Sequence, residues 1–318
     1  MSLPKINAKE FLKKVGTKPN DNLNTIKIIE EQLKNNGGVF KMPTAGNCVI
    51  LLLSGGLDSV VSWGILMEEY KLKVYPLTIN KGQKKRKFEQ RSVDFFTKYY
   101  QQRYPKLFVK PLAINVALPQ FEINIEKAHQ QMHPQAIIDN LNQEMKIVAN
   151  LSLGSFTLSP ILGKMYAEYL KLVNNVDINT IFCGVLPSDG DWIPEQCFTT
   201  LRTAMWHLRV TTHNSKWQFS SVCYEKETGM YLLKKDLIKW GYDHNIPLEK
   251  TWTCYFSYKK HCGQCASCYC RKENFVAANV VDNTEYIKEE SNLLIKIKHK
   301  IKKIAKKVSS MLILNNKR

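Results

Sequence analysis

The sequence of 318 residues has no apolar run near the roughly 18 residues that cross a bilayer; Val49–Leu53 is typical of its longest. The opening Met1-Ser2-Leu3-Pro4-Lys5 carries no apolar signal core, and a cytoplasmic protein is expected. Neither Gly-x4-Gly-Lys-Ser/Thr nor Gly-x-Gly-x-x-Gly occurs, which excludes the two commonest nucleotide fingerprints. There is no repeat of solenoid period, and none of the seven histidines is assigned to a site. Acidic residues are scarce: Asp+Glu number 28 against 46 Lys+Arg, a net charge of +18. From Ser291 to Arg318 there are none, against nine basic residues, so half of the net charge sits in that closing segment. Such a balance points to an anionic partner.

What is present is ordinary globular composition, 44% hydrophobic and 23% charged, which excludes wholesale disorder. At roughly 150 residues per domain the length suggests about two domains, or one with extensions. The nine cysteines are an odd number, and five fall between Cys254 and Cys270. That clustering suits a reducing compartment and a metal site better than a disulfide framework.

Hydrophobic patterning gives a coarse order of elements. A helix is expected around Asn24–Lys34, strands at Cys48–Leu53, Lys73–Asn80 and Leu107–Val116, and helices at Val60–Tyr70 and Lys84–Arg103. This β-α-β-α-β order predicts a parallel sheet covered by helices on both faces. Further on, Phe156–Val173 reads as a helix, Asn179–Val185 as a strand, and Pro194–Arg209 as a helix started by its proline. Lys234–Trp240 reads as a helix capped by Gly241. Residues 117–150 are Gln/Asn-rich without a period. From Asn292, Leu294, Ile297, Ile301, Ile304, Val308 and Met311 recur at helical steps between lysines.

Two motifs carry chemistry. Ser54-Gly55-Gly56-Leu57-Asp58-Ser59 follows a buried strand and opens a helix. Two glycines let the backbone fold against an anion, and the helix start offers unpaired N–H groups and a positive dipole end. Ser54 and Ser59 add hydroxyls; Asp58 suits Mg²⁺ or an internal hydrogen bond that shapes the loop. The plainer alternative is a strand-to-helix turn with an Asp/Ser cap. The second motif is Cys254-x7-Cys262-x2-Cys265-x2-Cys268, four thiolates suited to a closed, structural, tetrahedral Zn²⁺ site. The alternatives are a set of unrelated thiols or a redox Cys-x-x-Cys pair. Cys270 is read as no ligand, and Cys48, Cys183, Cys197 and Cys223 as small buried residues.

The six-residue string resembles the pyrophosphate loop of the PP-loop ATP pyrophosphatases. Both motifs together, in this order, resemble the 7-cyano-7-deazaguanine synthase family (QueC-like). Supporting segments are Asn80-Lys81-Gly82-Gln83, Met165-Tyr166-Ala167-Glu168, Lys234-Lys235-Asp236-Leu237-Ile238, Thr251-Trp252-Thr253-Cys254-Tyr255 and Cys262-Gly263-Gln264-Cys265-Ala266-Ser267-Cys268. The resemblance spans roughly Cys48 to Phe275. It implies an α/β fold, a doubly wound parallel sheet of the adenine nucleotide alpha hydrolase-like type, with a small C-terminal zinc module and a helical tail. The domain plan it suggests is 1–45 as an N-terminal extension and 46–240 as the PP-loop ATP-binding domain. Residues 241–284 would be the four-cysteine zinc module completing the substrate pocket, and 285–318 a basic amphipathic tail.

Carried onto this sequence, Ser54, Gly55, Gly56, Leu57, Asp58 and Ser59, with Gly82 and Gln83, would bind ATP with Mg²⁺. Asp58, Ser59 and Lys234 would act in catalysis, and Cys254, Cys262, Cys265 and Cys268 would hold Zn²⁺. The implied activity is an ATP-dependent ligase: it adenylates the carboxylate of 7-carboxy-7-deazaguanine and passes it to ammonia, giving amide and nitrile. Two departures stand out. An Arg-Asn pair of the family is missing near Gly154-Ser155. The family's Arg is also missing from the segment Ser188–Cys197, where Asp189 and Pro194 match and Arg202 is the nearest substitute. An intact ATP loop beside a changed pocket suggests a divergent member with a changed acceptor, such as a protein amine in an anti-phage defence system of Qat or CBASS type. A homodimer or a subunit of a complex is expected. A tRNA-modifying PP-loop ATPase and a non-catalytic nucleotide-binding subunit stay open; thiolation needs a cysteine pair at the ATP site, and none flanks residues 54–59. The tail would dock on the body, bind an anionic partner, or meet a membrane surface.

Overall fold

A computed structural model describes residues 3–83, 85–116, 155–191, 193–256, 259–263 and 265–287. The Gln/Asn-rich stretch and the tail helix expected from Asn292 lie outside the described residues. Two helices come first, α1 (Ala8–Val15) and α2 (Leu23–Asn35), capped by the side chains of Asn7 and Asn22. Then follow β1 (Cys48–Leu52), α3 (Leu57–Glu68), β2 (Lys73–Asn80), α4 (Arg86–Arg103) and β3 (Leu112–Asn115). The second half contains α5 (Ser155–Asn174), β4 (Thr180–Cys183), α6 (Phe198–Thr212), β5 (Gln218–Ser221), β6 (Tyr224–Glu225), β7 (Met230–Tyr231), α7 (Lys234–Asp243) and α8 (Ala266–Ala277).

The strands form one sheet in the order β3-β2-β1-β4-β5-β6-β7. The first five pair in parallel, and Val49, Ile50 and Leu51 of β1 are all buried, as a central strand covered on both faces requires. The order 3-2-1-4-5 reverses direction between β1 and β4, and that switch point opens the crevice where ligands of doubly wound folds sit. The sheet is mixed at one end: β6 and β7 add as an antiparallel extension that the sequence pattern did not reveal, being two residues long each.

Residues 3–45 are integral to the core. Phe11 packs on Phe198, Tyr224 and Tyr231, with ring centroids 4.9–5.6 Å apart. Ile6 N–H donates to Gly229 O at 2.9 Å, and Lys5 bridges to Met230. Beneath this contact lies a buried ion network. Arg202, fully buried on α6, donates bidentately to Glu225 (2.9 and 2.6 Å) and through Nε to Glu30 Oε1 of α2 at 3.0 Å. Lys226 completes it on Glu30, and Ser220 donates to Glu225.

Three local expectations need correction. Pro194 starts a short 3₁₀ turn, Pro194–Gln196, and α6 begins only after the extended Cys197. Gly241 lies inside α7, where Leu248 packs so close that a Cβ on the glycine would meet it at 2.9 Å; the helix ends two residues later. The third strand is shorter than expected, with Phe108 making only an isolated bridge to Val74.

Candidate functional site

The site is built around the β1–α3 connection. Leu57, Asp58 and Ser59 are the first three residues of α3, so their amides have no intrahelical acceptor. Ser54 and Ser59 lock the turn from within: their hydroxyl oxygens lie 3.1 Å apart, Gly56 N–H donates to Ser54 Oγ at 3.2 Å, and Ser59 Oγ donates to Gly56 O at 3.1 Å. Gly55 sits at φ +82°, the left-handed region, and a Cβ there would meet Glu89 O of α4 at 2.6 Å. Gly55→Ala should therefore distort this turn. We expect a loss of about 2 kcal/mol or more of stability, read by urea denaturation; an unshifted midpoint would refute the geometry.

Asp58 and Lys234, far apart in the chain, meet here: Lys234 Nζ lies 3.1 Å from Asp58 Oδ2, with side-chain exposures of 14% and 25%. Burial works against the lysine's charge, but the neighbouring Asp58, Cys270 and Asp189 outweigh it and raise its pKa. These neighbours thus favour the charged ammonium. The other oxygen of Asp58, Oδ1, is buried and has no hydrogen-bond partner among the described residues. An orphaned carboxylate oxygen is a donor that a hard divalent cation can take, whereas the unpaired helix-start amides beside it suit an anion. Asp189 stands close by on the turn after β4, with Oδ2 accepting Leu186 N–H at 2.9 Å. Burial pushes its carboxyl up to about 6, with Lys234 opposing and Asp58 adding to the rise. Cys270, expected at no site, also lies in the electrostatic field of Lys234.

On the other side of Ser54 a cavity of about 310 Å³ opens over the ends of β1 and β2. Leu52, Leu53, Leu77 and Ile79 line its apolar part, and Lys81 and Arg86 supply charge. Gln83 also lines it, but its amide serves the loop: Oε1 accepts Lys81 N–H at 2.8 Å and Nε2 donates to Glu89 Oε2 at 2.8 Å. Gly82 is at φ +81°, with open space where a Cβ would stand.

The four cysteines converge as well. The sulfurs of Cys254, Cys262, Cys265 and Cys268 all lie within 4.8 Å of one another and are buried. The Cys262–Cys268 separation of 3.8 Å is the edge expected of a tetrahedron with metal–sulfur bonds of about 2.3 Å. Backbone amides of Phe256, Cys262 and Cys265 point at these sulfurs at 3.2–3.4 Å, the outer-shell donors that thiolates need. The donor set fits a closed metal site with no open position.

Arg202, the expected stand-in for a substrate-binding arginine, is committed to Glu30 and Glu225 in the core and is not available to a ligand.

These features coincide with likeness to known proteins. A family model described as Queuosine biosynthesis protein QueC matches residues 162–279, from within α5 past the cysteine cluster. The 7-cyano-7-deazaguanine synthase of Methanosphaera stadtmanae is 26% identical over 249 residues, covering 75% of this chain and 98% of that one. The chain is thus similar to QueC proteins over most of its length. The 7-cyano-7-deazaguanine synthase of Acetivibrio thermocellus is 28% identical over 239 residues, covering 75% of this QueC-like chain and 97% of its own length. A third, from Methanothrix thermoacetophila, reaches 49% identity over a stretch of 53 residues, 17% of this chain and 24% of that one. The family-model match takes in Lys234 and all four cysteines of the QueC-like chain, while the Ser54–Ser59 turn lies upstream of it. Among the described residues no helix is long and apolar enough to cross a membrane.

Proposed function

We propose that this QueC-like chain is an ATP-dependent ligase that adenylates the carboxylate of 7-carboxy-7-deazaguanine and transfers it to a nitrogen nucleophile. The observation that carries this reading is the Asp58–Lys234 pair set against the Ser54–Ser59 turn at the sheet's switch point. In this reading Ser54, Gly55, Gly56, Leu57 and Ser59 cradle the pyrophosphate. Asp58 Oδ1 would hold Mg²⁺, which would supply positive charge against the phosphates. Lys234 faces the charge that develops as the carboxylate oxygen attacks the α-phosphorus and pyrophosphate leaves. Gly82, Gln83 and the cavity beside Ser54 hold the nucleoside. Cys254, Cys262, Cys265 and Cys268 hold Zn²⁺ as a wall of the base pocket.

The amine then attacks the acyl carbon and AMP departs, giving an amide. With ammonia as nucleophile, a second ATP activates the amide oxygen. Loss of AMP and of the nitrogen protons then yields the nitrile. A protein amine, in a defence setting, is the alternative acceptor; the commitment of Arg202 to the core supports it, because it removes the nearest substitute for the arginine the resemblance calls for. Incubation with ATP, Mg²⁺ and 7-carboxy-7-deazaguanine, with and without ammonia, tests the reading by chromatography and mass spectrometry. AMP and pyrophosphate should form in a carboxylate-dependent manner, with amide or nitrile appearing when ammonia is added. Absence of AMP under both conditions would refute adenylation, and nitrile formation without mass gain on any candidate protein would refute the protein acceptor.

A further inference from the structure

One carbonyl of the turn is held from outside. Gly55 O accepts Ser92 Oγ–H of α4 at 2.7 Å and Trp252 N–H at 3.0 Å. Trp252 stands two residues before Cys254, and its ring stacks on Phe88 with centroids 4.6 Å apart. Its segment is tied to the cysteine cluster along its length. Thr253 N–H donates to His261 Nε2 at 3.1 Å, next to Cys262. Arg271, fully buried on α8, donates to Thr251 Oγ1 (2.8 Å), Thr253 Oγ1 (3.0 Å) and Leu248 O (2.8 Å). That helix begins directly after Cys265, so closing the four cysteines around an ion sets its first turn.

The chemistry of the held peptide explains what this does. Two adjacent glycines let their shared peptide flip at low cost. With Gly55 O drawn to Ser92 and Trp252, the Gly56 N–H points inward to Ser54 Oγ. A flip would instead aim a carbonyl oxygen at the anion.

We propose that Ser92 and the Thr251–Cys254 strap form a clasp on Gly55 O, through which the metal-loaded cysteine cluster holds the Ser54–Ser59 turn in its anion-accepting conformation. Ser92 is thus a positioning residue for phosphate binding. The inference rests on the proposed role of the turn, but its first test does not. Hydrogen exchange of the full chain, metal-loaded and after chelation, reads the turn without any ligand. Chelation should speed exchange of the 54–59 amides about tenfold while β1 and β2 keep their protection. Unchanged exchange in the turn would overturn the clasp, and so would equal acceleration in β1 and β2, which would mark general unfolding. A second arm measures pyrophosphate binding by calorimetry. Ser92→Ala should keep its metal content by elemental analysis yet bind about fivefold more weakly, and Ser92→Thr should restore affinity. Parent-like affinity of Ser92→Ala would overturn the role of Ser92. Failure of the parent chain to bind pyrophosphate would instead refute the proposed function and leave the exchange result standing.

Discussion

Asp58→Ala should reduce carboxylate-dependent AMP release by about 10²–10³-fold, the size of effect seen when a single preorganised electrostatic group is removed. Two losses combine. The buried Oδ1, which has no partner among the described residues, disappears as the proposed cation donor of the site. Lys234 loses the carboxylate at 3.1 Å that holds its ammonium over the turn. Because Lys234 is largely buried, an unpaired ammonium there would either move toward solvent or lose its proton more readily. Asp58→Asn separates the two effects: it keeps a side-chain oxygen but removes the charge, and it should recover only a small part of the activity. Thermal denaturation run in parallel distinguishes lost chemistry from lost fold. A folded Asp58→Ala variant with AMP release near that of the parent would favour a nucleotide-sensing subunit over an enzyme.

Arg202→Met should cost about 3–5 kcal/mol of stability, because it leaves the buried carboxylate of Glu225 without its counter-ion and Glu30 with Lys226 alone. Burial alone would raise the Glu225 pKa, but Arg202, with help from Ser220, holds it below the usual carboxylate range. A depressed carboxyl contributes stability above its unfolded pKa and loses it as pH falls through the folded one. The substitution removes that contribution, so the difference between parent and variant should be largest near neutral pH and shrink toward pH ~4. In a chain of this size the midpoint of thermal unfolding should drop by about 10 °C. A variant that melts with the parent at neutral pH would mean that the network contributes nothing net, as some buried ion pairs do.

These two sites differ in how far they could be read in advance. The Ser54–Ser59 turn is contiguous, and its local chemistry, two glycines between hydroxyls at a helix start, is visible in the string itself. The cysteine spacing is likewise local. The pairing of Asp58 with Lys234 is not, since it depends on α7 packing against the start of α3. Arg202 shows the opposite case. Proximity in sequence to a loop that resembles a substrate segment made it a candidate, yet its side chain points into the core. Its partners come from α2 and β6, and only the packed fold brings those carboxylates to it.

The boundary of α6 has the same origin. Local rules favour a start at Pro194, but the first turn is capped from elsewhere: Asp21 Oδ1 accepts Thr199 N–H at 2.7 Å and its hydroxyl at 2.8 Å. Gly241 reads locally as a helix stop and serves instead as a contact for Leu248.

The sequence by itself determined the strand-turn-helix that opens the core, the α/β order of the first half and the four-thiol set. Periodicity, glycine and ligand spacing act over a few residues and need no partner. Only the tertiary structure decided which charges meet at the turn, which arginine is sealed in the core, and that the strap before Cys254 holds Gly55. Each of those rests on hydrogen bonds or ion pairs between segments far apart in the chain, whose strength comes from the desolvation that packing alone provides.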